Sequence, residues 1–211
     1  MQTHSIEVTR TARYYTLGNY SPKTKRVWIV LHGFGQMGES FIQNFSTIAD
    51  DENFVIAPEA LNRFYLKSAS GTVGATWMTK EDRLNEIKDY CNYLDTLYVA
   101  LNLQNFSGEI IALGFSQGSS TVTRWVNQSK HRFDKLVVYA GEVGAEVFPL
   151  TENSGLKKTE NYFVYGTQDE FFSMEIIHRM IEKYSPLQSK VVSFEGKHVI
   201  NAPLLAQLFK Q

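Results

Sequence analysis

Residues 110–118 read Ile110-Ile111-Ala112-Leu113-Gly114-Phe115-Ser116-Gln117-Gly118, and this stretch decides the fold. Ile110–Leu113 is a short, continuous apolar run, the pattern of a strand buried on both faces. From Ser119 onward the pattern turns helical. Between the two lies G-x-S-x-G. A strand that turns this sharply into a helix holds the serine in strained backbone geometry with its hydroxyl exposed above the sheet, and the small flanking residues let strand and helix approach. At usual frequencies of roughly 7% each for glycine and serine, a chain this long holds about 0.07 such matches by chance. Its place after a buried strand makes an incidental glycine turn the weaker reading.

Working outward, the same kind of run recurs at Val27–Leu31, Phe54–Ala57, Leu136–Tyr139 and Tyr162–Tyr165. Helical patterns lie between them. Leu84, Ile87, Cys91, Leu94, Tyr98 and Leu101 form one apolar stripe, Phe41, Phe45, Ile48 and Ala49 a shorter one, and Ile176, Ile177, Met180 and Ile181 a third. Strand and helix therefore alternate, which predicts an α/β fold: a mostly parallel central sheet with helices on both faces. Val191–Phe194 is expected as the last strand and Ala202–Lys210 as the last helix. At the start, Ile6 and Val8, then Ala12, Tyr14 and Thr16, alternate with polar positions and predict two half-exposed strands forming an antiparallel edge pair. Two connections, 61–79 and 143–160, exceed the usual βα loop of about 2–6 residues. The first is read as a loop and the second as a loop with room for one turn of helix, and both are too short to fold as a cap domain.

The chain has 211 residues, 43% hydrophobic and 20% charged, which suits one domain spanning residues 1–211. With 21 basic against 22 acidic residues, it lacks the field that holds a phosphate backbone, so nucleic acid is not an expected partner. Its one cysteine, Cys91, excludes an internal disulfide and any multi-cysteine metal site, and falls on a helical apolar stripe as inert core. No apolar run approaches a membrane span, and Met1-Gln2-Thr3-His4-Ser5 is unlike a secretory signal, so a cytoplasmic protein is expected.

A serine hydroxyl needs a base, and the base an orienting acid; with this motif they follow in the order Ser, Asp or Glu, His. His198, in Gly196-Lys197-His198, follows the last expected strand. His131 and His178 also follow Ser116, but neither sits at the carboxyl end of a strand, where open α/β sheets place their sites. Asp169, just past Tyr162–Tyr165, is the preferred acid, with adjacent Glu170 expected to point elsewhere. Glu142, just past Leu136–Tyr139, is the competitor, otherwise a pocket-wall carboxylate held by hydrogen bonds. Acyl transfer also needs oxyanion donors: the Gln117 N–H, following the nucleophile, and the Phe34 N–H in His32-Gly33-Phe34-Gly35. His32 is read as pinning that loop rather than as a base. Phe64, Tyr65 and Trp77, on the long connection, suit an apolar wall for an acyl chain or ester alcohol and equally the anchors a long loop needs.

Taken together, Leu31-His32-Gly33-Phe34-Gly35, Ala57-Pro58-Glu59-Ala60, Trp77, Gly114-Phe115-Ser116-Gln117-Gly118, Gly166-Thr167-Gln168-Asp169 and Gly196-Lys197-His198 resemble the phospholipase/carboxylesterase group of α/β-hydrolases, which includes small carboxylesterases and acyl-protein thioesterases. The resemblance covers most of the chain from about Lys25 onward. It implies an α/β-hydrolase fold, hydrolysis of small-molecule esters or thioesters, no cofactor, and a triad of Ser116, Asp169 and His198. Two departures touch the pocket rather than the triad: Ala140-Gly141-Glu142, where the group usually has a serine before the glycine, and Glu170-Phe171-Phe172, where it commonly has small aliphatics and proline. A serine peptidase on the same triad, or a silent binding protein on the same fold, are the alternatives.

Overall fold

The computed structural model describes residues 1–209. Seven strands form one sheet: β1 (Tyr14–Leu17), β2 (Arg26–Leu31), β3 (Asn53–Pro58), β6 (Glu109–Phe115), β7 (Lys135–Tyr139), β8 (Glu160–Gly166) and β9 (Lys190–Phe194), in the order β1-β3-β2-β6-β7-β8-β9. Every neighbouring pair is parallel except β1 with β3. Five helices complete the fold: α1 (Gly38–Ile42), α2 (Arg83–Ala100), α3 (Gln117–Gln128), α4 (Met174–Lys183) and α5 (Ala202–Leu208).

Alternate side chains of each central strand enter different cores. Val27, Ile29 and Leu31 of β2, with Ile110 and Ala112 of β6, pack with Tyr90, Cys91 and Leu94 of α2, Val122 and Trp125 of α3, and Ile177 and Met180 of α4. Trp28 and Val30, with Ile111, Leu113 and Phe115, pack on the other face with Phe41 and Ile42 of α1 and Leu205 of α5. Covered on both faces, these strands can carry no polar alternation, which is why their sequence is continuously apolar. Cys91 is buried core, as expected.

The first expected strand is absent. Residues 1–13 belong to no strand or helix, Ile6 and Val8 stay exposed, and β1 pairs instead with β3, Tyr15 opposite Ala57. The other edge of β1 stays unpaired among the described residues, and Glu7, between Ile6 and Val8, forms an exposed ion pair with Lys88 of α2.

The long connection after β3 is also more than a loop. It contains a hairpin, β4 (Asn62–Tyr65) and β5 (Val73–Thr76), paired antiparallel with Phe64 opposite Gly74. The stretch 143–160 holds two 3₁₀ turns, at Ala145–Val147 and Gly155–Lys158. Neither builds a cap over the sheet. The expected last helix ends at Leu208, and Lys210, its expected end, lies outside the described residues. Among the described residues no helix is long and apolar enough to cross a membrane.

From β2 the chain runs outward to β3, then returns to place β6 on the other side of β2. The strand order thus reverses between β2 and β6, and their carboxyl ends meet there, Leu31 beside Gly114. In open α/β sheets that crevice is where ligands bind.

Candidate active site

Ser116 leaves β6 with φ 53° and ψ −118° and opens α3. A residue with a side chain is held in this sparsely populated region only when its surroundings over-determine it. Here they do. A Cβ on Gly114 would lie 2.1 Å from the Gly118 carbonyl oxygen, and one on Gly118 would lie 2.3 Å from that of Leu31, so strand, turn and helix meet backbone to backbone. The Ser116 N–H donates to the Tyr139 carbonyl (2.9 Å), and Ser119 Oγ sits 2.6 Å from the Gly114 carbonyl. The Ser116 hydroxyl itself takes no hydrogen bond among the described residues and is half-buried.

The loop after β2 lies alongside. A Cβ on Gly33 would come within 3.1 Å of Ser116 Cβ. The Gly33 N–H donates to Gln36 Oε1 (2.8 Å) and the Gly35 N–H to the Ala75 carbonyl (2.8 Å), while the Phe34 N–H between them has no partner among the described residues. The Gln117 N–H, first in α3, has no intrahelical acceptor. Two unengaged amides therefore flank the serine.

His32, fully buried, holds this loop. Its Nε2 accepts the Ala60 N–H (3.0 Å) and its Nδ1–H donates to the Gly33 carbonyl (2.7 Å). An amide can only donate and a carbonyl only accept, so the ring is the neutral Nδ1–H tautomer. Burial holds its pKa below the ordinary imidazole value, partly opposed by the bond to Gly33. The reading of His32 as a pin rather than a base fits this geometry.

Across the sheet, the loops after β8 and β9 are laced together by Thr167 N–H to the Phe194 carbonyl (2.9 Å) and Gln168 N–H to the Gly196 carbonyl (2.8 Å). They bring His198 Nδ1 to 2.7 Å from Asp169 Oδ2. The Asp169 carboxylate is buried, and its other oxygen accepts the N–H groups of Phe171 (2.8 Å) and Phe172 (3.2 Å). With Nδ1–H donated to a carboxylate, Nε2 is left as the free acceptor. The imidazole lies 4.8 Å, centroid to centroid, from the ring of Phe115, the residue preceding Ser116.

A cavity of about 370 Å³ lies at the opposite, amino end of the strands, lined by Thr24, Arg26, Glu109 and Arg132 among others, and plays no part in this arrangement.

Comparison with known proteins identifies the family and the fold. The sequence profile of the family described as Serine hydrolase (FSH1) matches residues 21–206. The chain belongs to this serine hydrolase family. No match was found among curated proteins. Among solved structures, the chain is similar to Zea mays acyl-protein thioesterase 2 (14% identity, 95% of this chain and 97% of that chain, TM-score 0.70). It is likewise similar to esterase PE8 (19%, 95% and 98%, 0.68) and to the Bacillus cereus carboxylesterase (16%, 93% and 91%, 0.65). At these identities the likeness establishes the α/β-hydrolase fold expected from the motifs.

Three expectations for this serine hydrolase need correction. Trp77 does not line a cleft: it is 1% exposed, donates Nε1–H to the His32 carbonyl (2.8 Å) and packs on His32 and Tyr90. An indole N–H must find an acceptor when buried, and this one finds it beneath the loop. Glu142 is exposed, and its hydrogen bond is made by the backbone carbonyl, which accepts Ser120 Oγ–H (2.9 Å), not by its carboxylate. Glu170, expected to point elsewhere, accepts the His198 backbone N–H on Oε2 (3.2 Å). Of the other expected wall residues, Tyr65 is exposed and Phe64 packs against Phe34 with ring centroids 5.2 Å apart.

Gln117, expected for its backbone N–H, also contributes through its side chain. The Gln117 side chain ties the nucleophile turn to the segment after β5: Nε2 donates to Thr76 Oγ1 and to the Met78 carbonyl (both 2.9 Å), and Oε1 accepts the Trp77 N–H (3.2 Å). Ala75 N–H bonds to the Gln36 carbonyl (3.2 Å), so β5 also braces the loop carrying Phe34. The hairpin is thereby a scaffold for both amide donors.

Proposed function

We propose that this serine hydrolase cleaves carboxylic esters or thioesters through an acyl-enzyme on Ser116. His198 Nε2 takes the hydroxyl proton as Oγ attacks the acyl carbonyl, and the N–H groups of Phe34 and Gln117 hold the oxyanion of the tetrahedral intermediate. Collapse expels the alcohol or thiol, which receives the proton from His198. Water, deprotonated by the same imidazole, then attacks the acyl carbon and releases the acid. Asp169 keeps Nδ1 protonated and stabilises the imidazolium at each step.

The observation that carries this reading is a strained serine with an unengaged hydroxyl at the sheet's reversal point, set between two unengaged amides. Each donor of that kind is typically worth about 2.7–4 kcal/mol of transition-state stabilisation. Phe34, Phe64 and Tyr65 would face the acyl or leaving group. An acyl-protein thioesterase and a carboxylesterase are among the proteins of similar fold, which supports the reading. Ser116→Ala is expected to abolish turnover of short p-nitrophenyl esters and labelling by a fluorophosphonate probe, with an unchanged circular dichroism spectrum. Near-normal turnover in that variant rejects the proposal.

A further inference from the structure

Four consecutive residues, Asp169-Glu170-Phe171-Phe172, converge on one histidine. Asp169 Oδ2 holds Nδ1, and Asp169 Oδ1 accepts the N–H groups of Phe171 and Phe172, closing the backbone into a tight turn. That turn directs Glu170 back to the His198 N–H. Its carboxyl lies below the ordinary range, held there by backbone N–H groups, its own first and then that of His198, so it is charged at neutral pH. The turn also sets the Phe171 ring 4.7 Å from the imidazole centroid, at an interplanar angle of 64°, with Phe172 at 6.1 Å.

Phe171 is 66% exposed and so gains little from its own burial. What it does is cover: only 11% of the His198 side chain is exposed, although the histidine sits on a surface loop between exposed Lys197 and Val199. One hydrogen bond to Asp169 leaves an imidazole free to swing about the Nδ1···Oδ2 line. Rings at 4.8 Å (Phe115) and 4.7 Å (Phe171) restrict that swing, and the Glu170 contact fixes the main chain from which the ring hangs.

We infer that Glu170 and Phe171 are positioning residues that hold the His198 imidazole in its working orientation and keep water from its Asp169 bond. The inference rests on the reading of His198 as the base.

The test uses the intact protein and four variants, Phe171→Ala, Phe171→Leu, Glu170→Ala and Glu170→Gln, each checked by thermal melting. Displacing a catalytic group by an ångström can cost up to about 10²-fold, so Phe171→Ala is expected to lower kcat by roughly tenfold. The loss should be equal for the acetyl and octanoyl p-nitrophenyl esters, with KM unchanged and partial recovery in Phe171→Leu. Glu170→Gln, which keeps an acceptor for the His198 N–H, should retain more activity than Glu170→Ala. In proton NMR the low-field His198 Hδ1 signal should broaden by exchange with water in Phe171→Ala. A change in KM confined to the octanoyl ester would make Phe171 a substrate wall and overturn the inference. So would an unaltered kcat with a sharp Hδ1 signal. Fluorophosphonate labelling separates the two levels: if Ser116 is labelled equally fast in the unmodified protein and Phe171→Ala, the positioning role fails and the triad stands. If the unmodified protein is not labelled, the triad itself fails, and this inference with it.

Discussion

The two halves of the site are made of different material. On the serine side, Gly33, Gly114 and Gly118 bring backbones of β2, β6 and α3 within touching distance, and the two candidate oxyanion donors are main-chain amides. On the histidine side, β8 and β9 lie at the end of the sheet, and the geometry is held by Asp169, Glu170 and Phe171 side chains, the last two exposed. Ser116 is therefore held as rigidly as the sheet, whereas His198 hangs on side chains that can be exchanged without repacking a core. Rate and stability should separate on the histidine side and travel together on the serine side.

The largest effect tests the histidine side. Asp169→Asn keeps the shape but allows the wrong imidazole tautomer, and a loss of about 10⁴ in kcat is expected. Its melting temperature should move little by comparison. Glu142→Gln, an exposed carboxylate away from the imidazole, should leave ester turnover within about twofold, in keeping with the small effects of surface substitutions. A crippled Glu142→Gln beside a mild Asp169→Asn would reverse the assignment of the acid.

A smaller effect tests the serine side. Gln117→Ala removes three hydrogen bonds to Thr76, Trp77 and Met78 and leaves the Trp77 N–H unpaired. An unsatisfied buried group costs about 1–3 kcal/mol, and each kcal/mol lowers Tm by about 2–4 °C at this size. Turnover should fall with Tm, by about tenfold, because the hairpin that braces Phe34 loosens. A variant that loses rate at full Tm would show the carboxamide acting on the substrate instead of the scaffold, and would blur the contrast between the halves.

What could be read in advance follows the same division. β2, β6, β7 and β8 were legible because burial on both faces leaves no polar residue to obscure a strand. Ser116, Asp169 and His198 were legible because their order and their strand-end addresses are local features. The hairpin was not, since β5 reads Val73-Gly74-Ala75-Thr76 and owes its form to Gly35 and Gln36, remote in sequence. Ile6 and Val8 are misleading because the alternation of an exposed segment looks like that of an edge strand even where, as here, it leaves the outer edge of β1 unpaired. In sequence Trp77 reads equally as cleft wall and as loop anchor, and the bond of its N–H to the His32 carbonyl, a tertiary contact, makes it the anchor. Glu170 was misjudged because its direction is set by the turn around Asp169 Oδ1, a tertiary consequence of two phenylalanine amides.

The smallest effect concerns His32, which ties the serine side to pH. Its Nε2 must stay unprotonated to accept the Ala60 N–H, and burial depresses its pKa in the folded chain below the unfolded value of 6.5. Above that value neither state binds the proton and the contribution to stability is fully present. As pH falls below it, the unfolded chain takes up a proton that the folded chain refuses, and stability declines by at most about 1.4 kcal/mol per pH unit until the folded pKa is reached. Melting curves between about pH 7.5 and 5.5 should therefore fall less steeply in His32→Gln, whose amide does not titrate, than in the unmodified protein. The slopes, not the absolute Tm, carry the result, so an overall loss of stability in the variant does not obscure it, and the other four histidines cancel between the two proteins. Equal slopes would mean that the buried imidazole accepts its proton in place and that the loop bearing Phe34 yields to it. The serine side would then be no more rigid than the histidine side.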